Sequence, residues 1–174
     1  EFQAAMQINP NAAELHVAMA RLAVAERKIE KAVASLDRAL EINPRAVGVI
    51  VALGEAALQR HDLDSALMYS GQALKAQANF VPALRLLADV ALNRRAPQAA
   101  YDTLQEALKT NPVDSETLGR LAAVYYLLDV QPDGDDHERL NRLLANLDAI
   151  QEATPAKPTR LEQLVIDVAE RNSK

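Results

Sequence analysis

At 174 residues, with 24 Asp and Glu against 19 Lys and Arg, the chain has a net charge of −5. That balance argues against a nucleic-acid groove, which needs many Lys and Arg. No apolar run approaches the roughly 18 residues of a membrane span, no signal-peptide zoning opens the sequence, and the absence of Cys removes disulfide and thiolate chemistry.

In chain order, Glu1 to about Gln7 carries the pattern of a second helix with no first helix before it, which is expected of a fragment of a longer array. Asn11 is placed to cap a helix bearing His16, Met19, Ala20 and Ala23 on one face. A polar turn at 26–28 follows. The next helix sets Ala32, Leu36, Ala39 and Leu40 on one face, and Pro44 ends it because proline cannot continue a helix. A helix with Ile50, Leu53, Gly54 and Ala57 comes next, then a turn at His61-Asp62 and a helix with Ala66, Ala73 and Leu74. Leu84, Leu87, Ala88 and Ala91 line the following helix. Asn93 to Pro97 make a turn, and Ala100, Leu104, Ala107 and Leu108 lead to Pro112. Leu118, Leu121, Ala122 and Tyr125 open one more unit, which Val130 to Asp136 interrupt. A helix starting near Asp135 then restores the pattern at Leu143, Leu147, Ile150 and Pro155, after about nine extra residues that are part loop and part helix. Leu161, Leu164, Val165 and Val168 mark a last helix.

The construction recurs every 34 residues: Ala32, Ala66 and Ala100; Ala39, Ala73 and Ala107; Phe2 and Leu36; Pro10, Pro44 and Pro112. A fixed period of this length means one supersecondary unit copied and stacked. The expected division is a half repeat at 1–12, repeats at 13–46, 47–80 and 81–114, a repeat with an inserted loop at 115–157, and a terminal or capping helix at 158–174. The sum is about ten helices, each deriving most of its stability from its neighbours.

These positions resemble the tetratricopeptide repeat family, whose 34-residue pattern is W-x2-L-G-x2-Y, A-x3-F, a further Ala and a closing Pro. The best matches are Ile50-x2-Leu53-Gly54, Leu118-x2-Leu121-Ala122-x2-Tyr125, Ala32-x3-Leu36-x2-Ala39 and Ala100-x3-Leu104-x2-Ala107 with Pro112. Trp is absent, most Tyr positions hold Ala, and Ala78 replaces one Pro. The resemblance implies an all-α, right-handed superhelical solenoid of antiparallel helix pairs whose first helices line a concave, peptide-binding groove. Carried over, the groove positions are Val17, Arg21 and Val24; Val51, Glu55, Leu58 and Gln59; Arg85, Asp89, Leu92 and Asn93; and Ala123 and Tyr126. Leu58, Leu92 and Tyr126 are the large groups there not needed by the repeat's own packing. A subtype that grips chaperone C-termini uses Lys and Asn where this chain has Val17, Arg21, Val51 and Glu55, so chaperone-tail binding is not expected.

Chemistry-bearing residues have simpler roles. His16 falls on the packing face, and Arg94-Arg95 reads as a solvated turn. His61 lies beside Asp62 and Asp64, where acids suit a helix N-terminus. The cluster of Asp133, Asp135, Asp136, His137 and Glu138 lacks calcium-loop spacing and reads as a cap at Asp135 with acids in the first turn. No nucleophile set, phosphate loop or metal pair appears. The expectation is a non-enzymatic scaffold without cofactor that binds a protein or peptide, with no nucleic acid and no membrane span. Two alternatives stand beside it: a structural spacer that self-associates through exposed solenoid ends, and a substrate-positioning array for a catalytic domain elsewhere.

Overall fold

The computed structural model describes residues 13–132 and 134–153; of residues 13, 14, 21, 25 and 147–153 it describes the backbone alone. The described residues form eight helices and no strand: α1 (Ala13–Ala25), α2 (Ile29–Ile42), α3 (Val47–Gln59), α4 (Leu63–Ala76), α5 (Val81–Asn93), α6 (Pro97–Thr110), α7 (Ser115–Leu128) and α8 (Gly134–Ala153). Of the ten helices expected, those at 1–12 and 158–174 lie outside the described residues, together with Phe2, Asn11 and Leu161 to Val168. The architecture is an all-α helical repeat.

The 34-residue period reappears in the backbone. Arg27, His61, Arg95 and Asp129 all adopt positive φ, at 58°, 59°, 58° and 53°. At each, the left-handed residue donates its N–H three residues back and the next residue donates five residues back. His61 N donates to the Leu58 carbonyl (3.0 Å) and Asp62 N to that of Ala57 (2.9 Å). The same pairs are Arg27 to Val24 with Lys28 to Ala23, Arg95 to Leu92 with Ala96 to Ala91, and Asp129 to Tyr126 with Val130 to Tyr125. This is the Schellman closure, which satisfies the last carbonyls of a helix. After the first three turns the next helix begins within two residues, which lays the pair antiparallel. After the fourth, the chain runs on to Gly134, and α8 has 20 residues where α2, α4 and α6 have 14.

Packing follows the same phase. Ala32, Ala66 and Ala100 are wholly buried, as are Ala39, Ala73 and Ala107. These methyls let helix backbones approach closely, and the larger Leu36 and Leu104 fill the space between. Carboxylates close two N-termini: Asp62 accepts from Ser65 N (3.1 Å), and Asp114 from Thr117 N (2.9 Å) and Thr117 Oγ1 (2.5 Å).

The chain divides into two compact units, Glu1–Val90 and Ala91–Lys174. In the first, Ile50, Val51, Ala66, Ala73, Leu86 and Val90 form one cluster, against which Leu58, Tyr69 and Phe80 pack. Ala20, Ala32, Leu36, Ala39, Val49 and Leu53 form a second.

Two glycines in this unit predict opposite outcomes. Gly71 has open space where a Cβ would stand, so Gly71→Ala is expected to stabilise by roughly 0.5–1 kcal/mol through helix propensity. At Gly54 the new methyl meets Leu86 Cδ2 at 2.4 Å and Tyr69 Cβ at 3.1 Å. Leu86 is fully buried and has little room to yield, so Gly54→Ala is expected to destabilise despite the same propensity gain. Urea midpoints of the two variants, read against the parent, check the opposed signs.

Candidate interaction groove

Within the first unit, α1, α3 and the start of α5 border a depression of about 1020 Å3. Its floor is built of small apolar groups: Val17, Ala18 and Ala20 from α1, and Val51, Ala52 and Ala56 from α3. Phe80 and Pro82 wall one side, and Asn43, Glu55, Gln59 and Arg85 bring polar groups to it. The alternation has a local cause. On α3, Leu53 and Ala57 turn into the repeat core while Glu55 and Gln59 stay exposed.

Of the positions expected from sequence, the structure brings Val17, Val24, Val51, Glu55, Gln59 and Arg85 together around this depression. Arg21 falls among the residues described by backbone alone. Leu58 does not line the depression; it is half-buried and packs on the Ile50 cluster, so it serves the repeat's own packing. Asp89, on α5, is half-buried and outside the lining. Leu92, Asn93, Ala123 and Tyr126 belong to the second unit, where Leu92 and Ala123 are half-buried and Asn93 and Tyr126 exposed. Val51, read as a contact surface, is also core: it is 3% exposed and shares the Ile50 cluster. Ala18, Gly48 and Ala52 line the depression too, and their signal in the sequence is smallness at first-helix positions.

In the second unit the chemistry-bearing residues gather elsewhere. The Asp135 cap is corrected: α8 begins at Gly134, so Asp135 stands exposed in the first turn and pairs with Arg139 (3.7 Å). Asp133 lies outside the described residues. Asp136 is the buried member. Its carboxylate accepts from Tyr125 Oη (2.8 Å) and from Gln105 Nε2, and pairs with Arg139 (3.0 Å). Tyr101 packs edge-on to Tyr125, with ring centroids 5.9 Å apart. Among the described residues no group of three potential metal ligands assembles, and no helix is long and apolar enough to cross a membrane.

Burial first, then the hydrogen bond to Asp136, pushes the Tyr125 phenol far above its ordinary range. A raised folded-state value means the contribution is intact below the unfolded value near 10 and is lost as pH rises beyond it. Stability measured between pH 9 and 12 is therefore expected to fall more steeply for the parent than for Tyr125→Phe. The difference in slope is at most one proton.

No protein-family model matches the chain, and no curated protein matches it. Solved structures do. YrrB, a TPR protein with an unusual peptide-binding site, aligns over 88% of this chain and 75% of its own, at 22% identity and a TM-score of 0.58. MamA aligns over 99% and 86%, at 11% identity and 0.60. TTC0263, a thermophilic TPR protein of Thermus thermophilus, aligns over 94% and 100%, at 18% identity and 0.65. At these identities the likeness is one of fold.

Proposed function

Taking the tetratricopeptide repeat fold as premise, we propose that the chain is a protein-interaction scaffold, acting by binding and not by catalysis, and that the depression of its first unit receives a peptide or helix of a partner protein. The observation that carries this is the depression itself. Its volume of about 1020 Å3 lies at the upper end of the roughly 300–1,000 Å3 of small-molecule pockets, and its floor is apolar with a few polar groups at the sides. Small floor residues leave room for large apolar anchors from the partner, and such anchors carry most of an interface's energy. The fold's likeness to YrrB, which has a peptide-binding site, supports the same reading.

Gly48 offers a clean test. It lines the depression, is exposed, and has nothing within 4 Å of an added Cβ. Gly48→Trp fills the depression without disturbing the core. Peptides selected by display on the parent are expected to bind this variant at least tenfold more weakly, about 1.4 kcal/mol, with the thermal midpoint not lowered. Equal binding to both proteins rejects the groove. A parent that selects no peptide favours the spacer reading.

A further inference from the structure

We propose that the occupant of the first unit's depression is an amphipathic helix of a partner protein, laid along α3 and antiparallel to it; this rests on the depression being the binding surface. α3 runs between α1 and α5. Its Val49 and Leu53 share a core cluster with Ala20 and Ala23 of α1, and its Ile50 and Val51 share one with Leu86 and Val90 of α5. Two helix spacings of 8–10 Å set α1 and α5 roughly 16–20 Å apart. A helix with its side chains is about 10–12 Å across, so one fits between them. Along α3 the lining runs from Gly48 to Gln59, about 16 Å at a rise of 1.5 Å per residue. That is the length of about eleven helical residues, or three turns. Gly48, Ala52 and Ala56 line it at i, i+4 and i+8. A row with nothing larger than a methyl is a groove of the kind into which the ridge of a second helix packs.

The main chain decides between a helix and an extended segment. The floor is helix surface, whose N–H and C=O groups beyond the first turn already bond within their own helices. Among the described lining residues, polar side chains come only from Asn43, Glu55, Gln59 and Arg85. An extended segment covers the same length in about five residues and brings roughly ten main-chain polar groups with it. Such groups are costly to bury against apolar side chains without partners. A helix arrives with most of them already bonded to one another.

Charge sets the contact face and the direction. Glu55 and Arg85 offset each other, so the described lining has no net charge. A charged side chain pressed onto the apolar floor loses its hydration uncompensated, and the contact face is therefore apolar and uncharged. α3 and α5 both begin at one end of the depression, where Gly48 and Pro82 line it. Neither has an acid in its first turn, and α3 has no side-chain cap. Two such N-termini make that end positive. A helix antiparallel to α3 brings its negative C-terminus there and its positive N-terminus toward Gln59.

The test takes 16-residue peptides selected on the full chain from a linear random display library, and keeps those that a folded Gly48→Trp variant binds at least tenfold more weakly. Linear peptides are free to bind as helix or strand. The kept peptides are expected to carry large apolar residues at helical spacing. Proline at a central position on the polar side is expected to weaken them at least tenfold, and a lactam joining polar-side residues i and i+4 to strengthen them. A nitroxide at the peptide's C-terminus is expected to broaden the Val49 methyl resonances more than those of Val24, and one at the N-terminus the reverse. Kept peptides that tolerate proline, or nitroxides that broaden the two valines in the opposite order, overturn this proposal and leave the depression as the binding surface. A selection in which no peptide responds to Gly48→Trp overturns the depression itself, and the proposal with it.

Discussion

Leu104→Ala is expected to lower stability by about 2–5 kcal/mol. Leu104 is wholly buried, on the same face of α6 as Ala100, Ala107 and Leu108, all likewise buried. Two of these neighbours are already methyl groups, with nothing to extend into the space left behind, so the cavity cost adds to the lost transfer energy. The position one repeat earlier shows what compensation requires. Ser70 stands there, wholly buried, its hydroxyl donating to the Leu67 carbonyl (2.8 Å). Its unit packs the larger Leu86, Tyr69 and Phe80 around the same core. Leu104→Ala has no such accompaniment. Urea unfolding followed by tyrosine fluorescence reads the effect, since Tyr101, Tyr125 and Tyr126 all lie in the second unit. Leu127→Ala, at a side chain 60% exposed, is the control and is expected to stay within about 0.5 kcal/mol of the parent.

Asp136→Ala is expected to cost about 2–4 kcal/mol. One buried carboxylate joins three helices of the second unit: it accepts from Gln105 on α6 and Tyr125 on α7, and pairs with Arg139 on its own α8. Removing it takes one hydrogen-bond partner from a buried phenol and one from an amide at once, and leaves Arg139 only the 3.7 Å contact to exposed Asp135. Breaking such a network costs more than its formation gains, because the remaining groups stay desolvated. Asp136→Asn preserves the volume and part of the hydrogen bonding, so a smaller loss is expected. Equal unfolding midpoints for Asp136→Ala and the parent would show that the network contributes nothing.

Much of the fold was legible because it is local and repeated. The Ala32, Leu36 and Ala39 face, and its copies 34 and 68 residues on, encode helix pairs through spacing alone. The turns were legible in place but not in geometry. Four left-handed residues without a glycine among them carry no composition signal, because hydrogen bonds to the preceding helix dictate their φ. In the sequence Asp136 is one acid among several at a helix start. Its burial depends on where α8 packs after a loop of irregular length, and that is a tertiary fact. The groove was half legible for a related reason. First-helix positions follow from the period, but whether a residue such as Leu58 turns into the core or toward the depression depends on the neighbouring helix. Ala18, Gly48 and Ala52 give little signal because a floor made of small residues has no large side chain to mark it.

The most direct measurement is a methyl NMR titration of the full chain with a peptide selected on the parent protein. The account predicts that the Val17, Val24 and Val51 methyl resonances shift together and saturably, and that Gly48→Trp abolishes the shifts. Saturable shifts confined to Leu127, Val130 and other methyls of the second unit, with Val17, Val24 and Val51 unmoved, would contradict it.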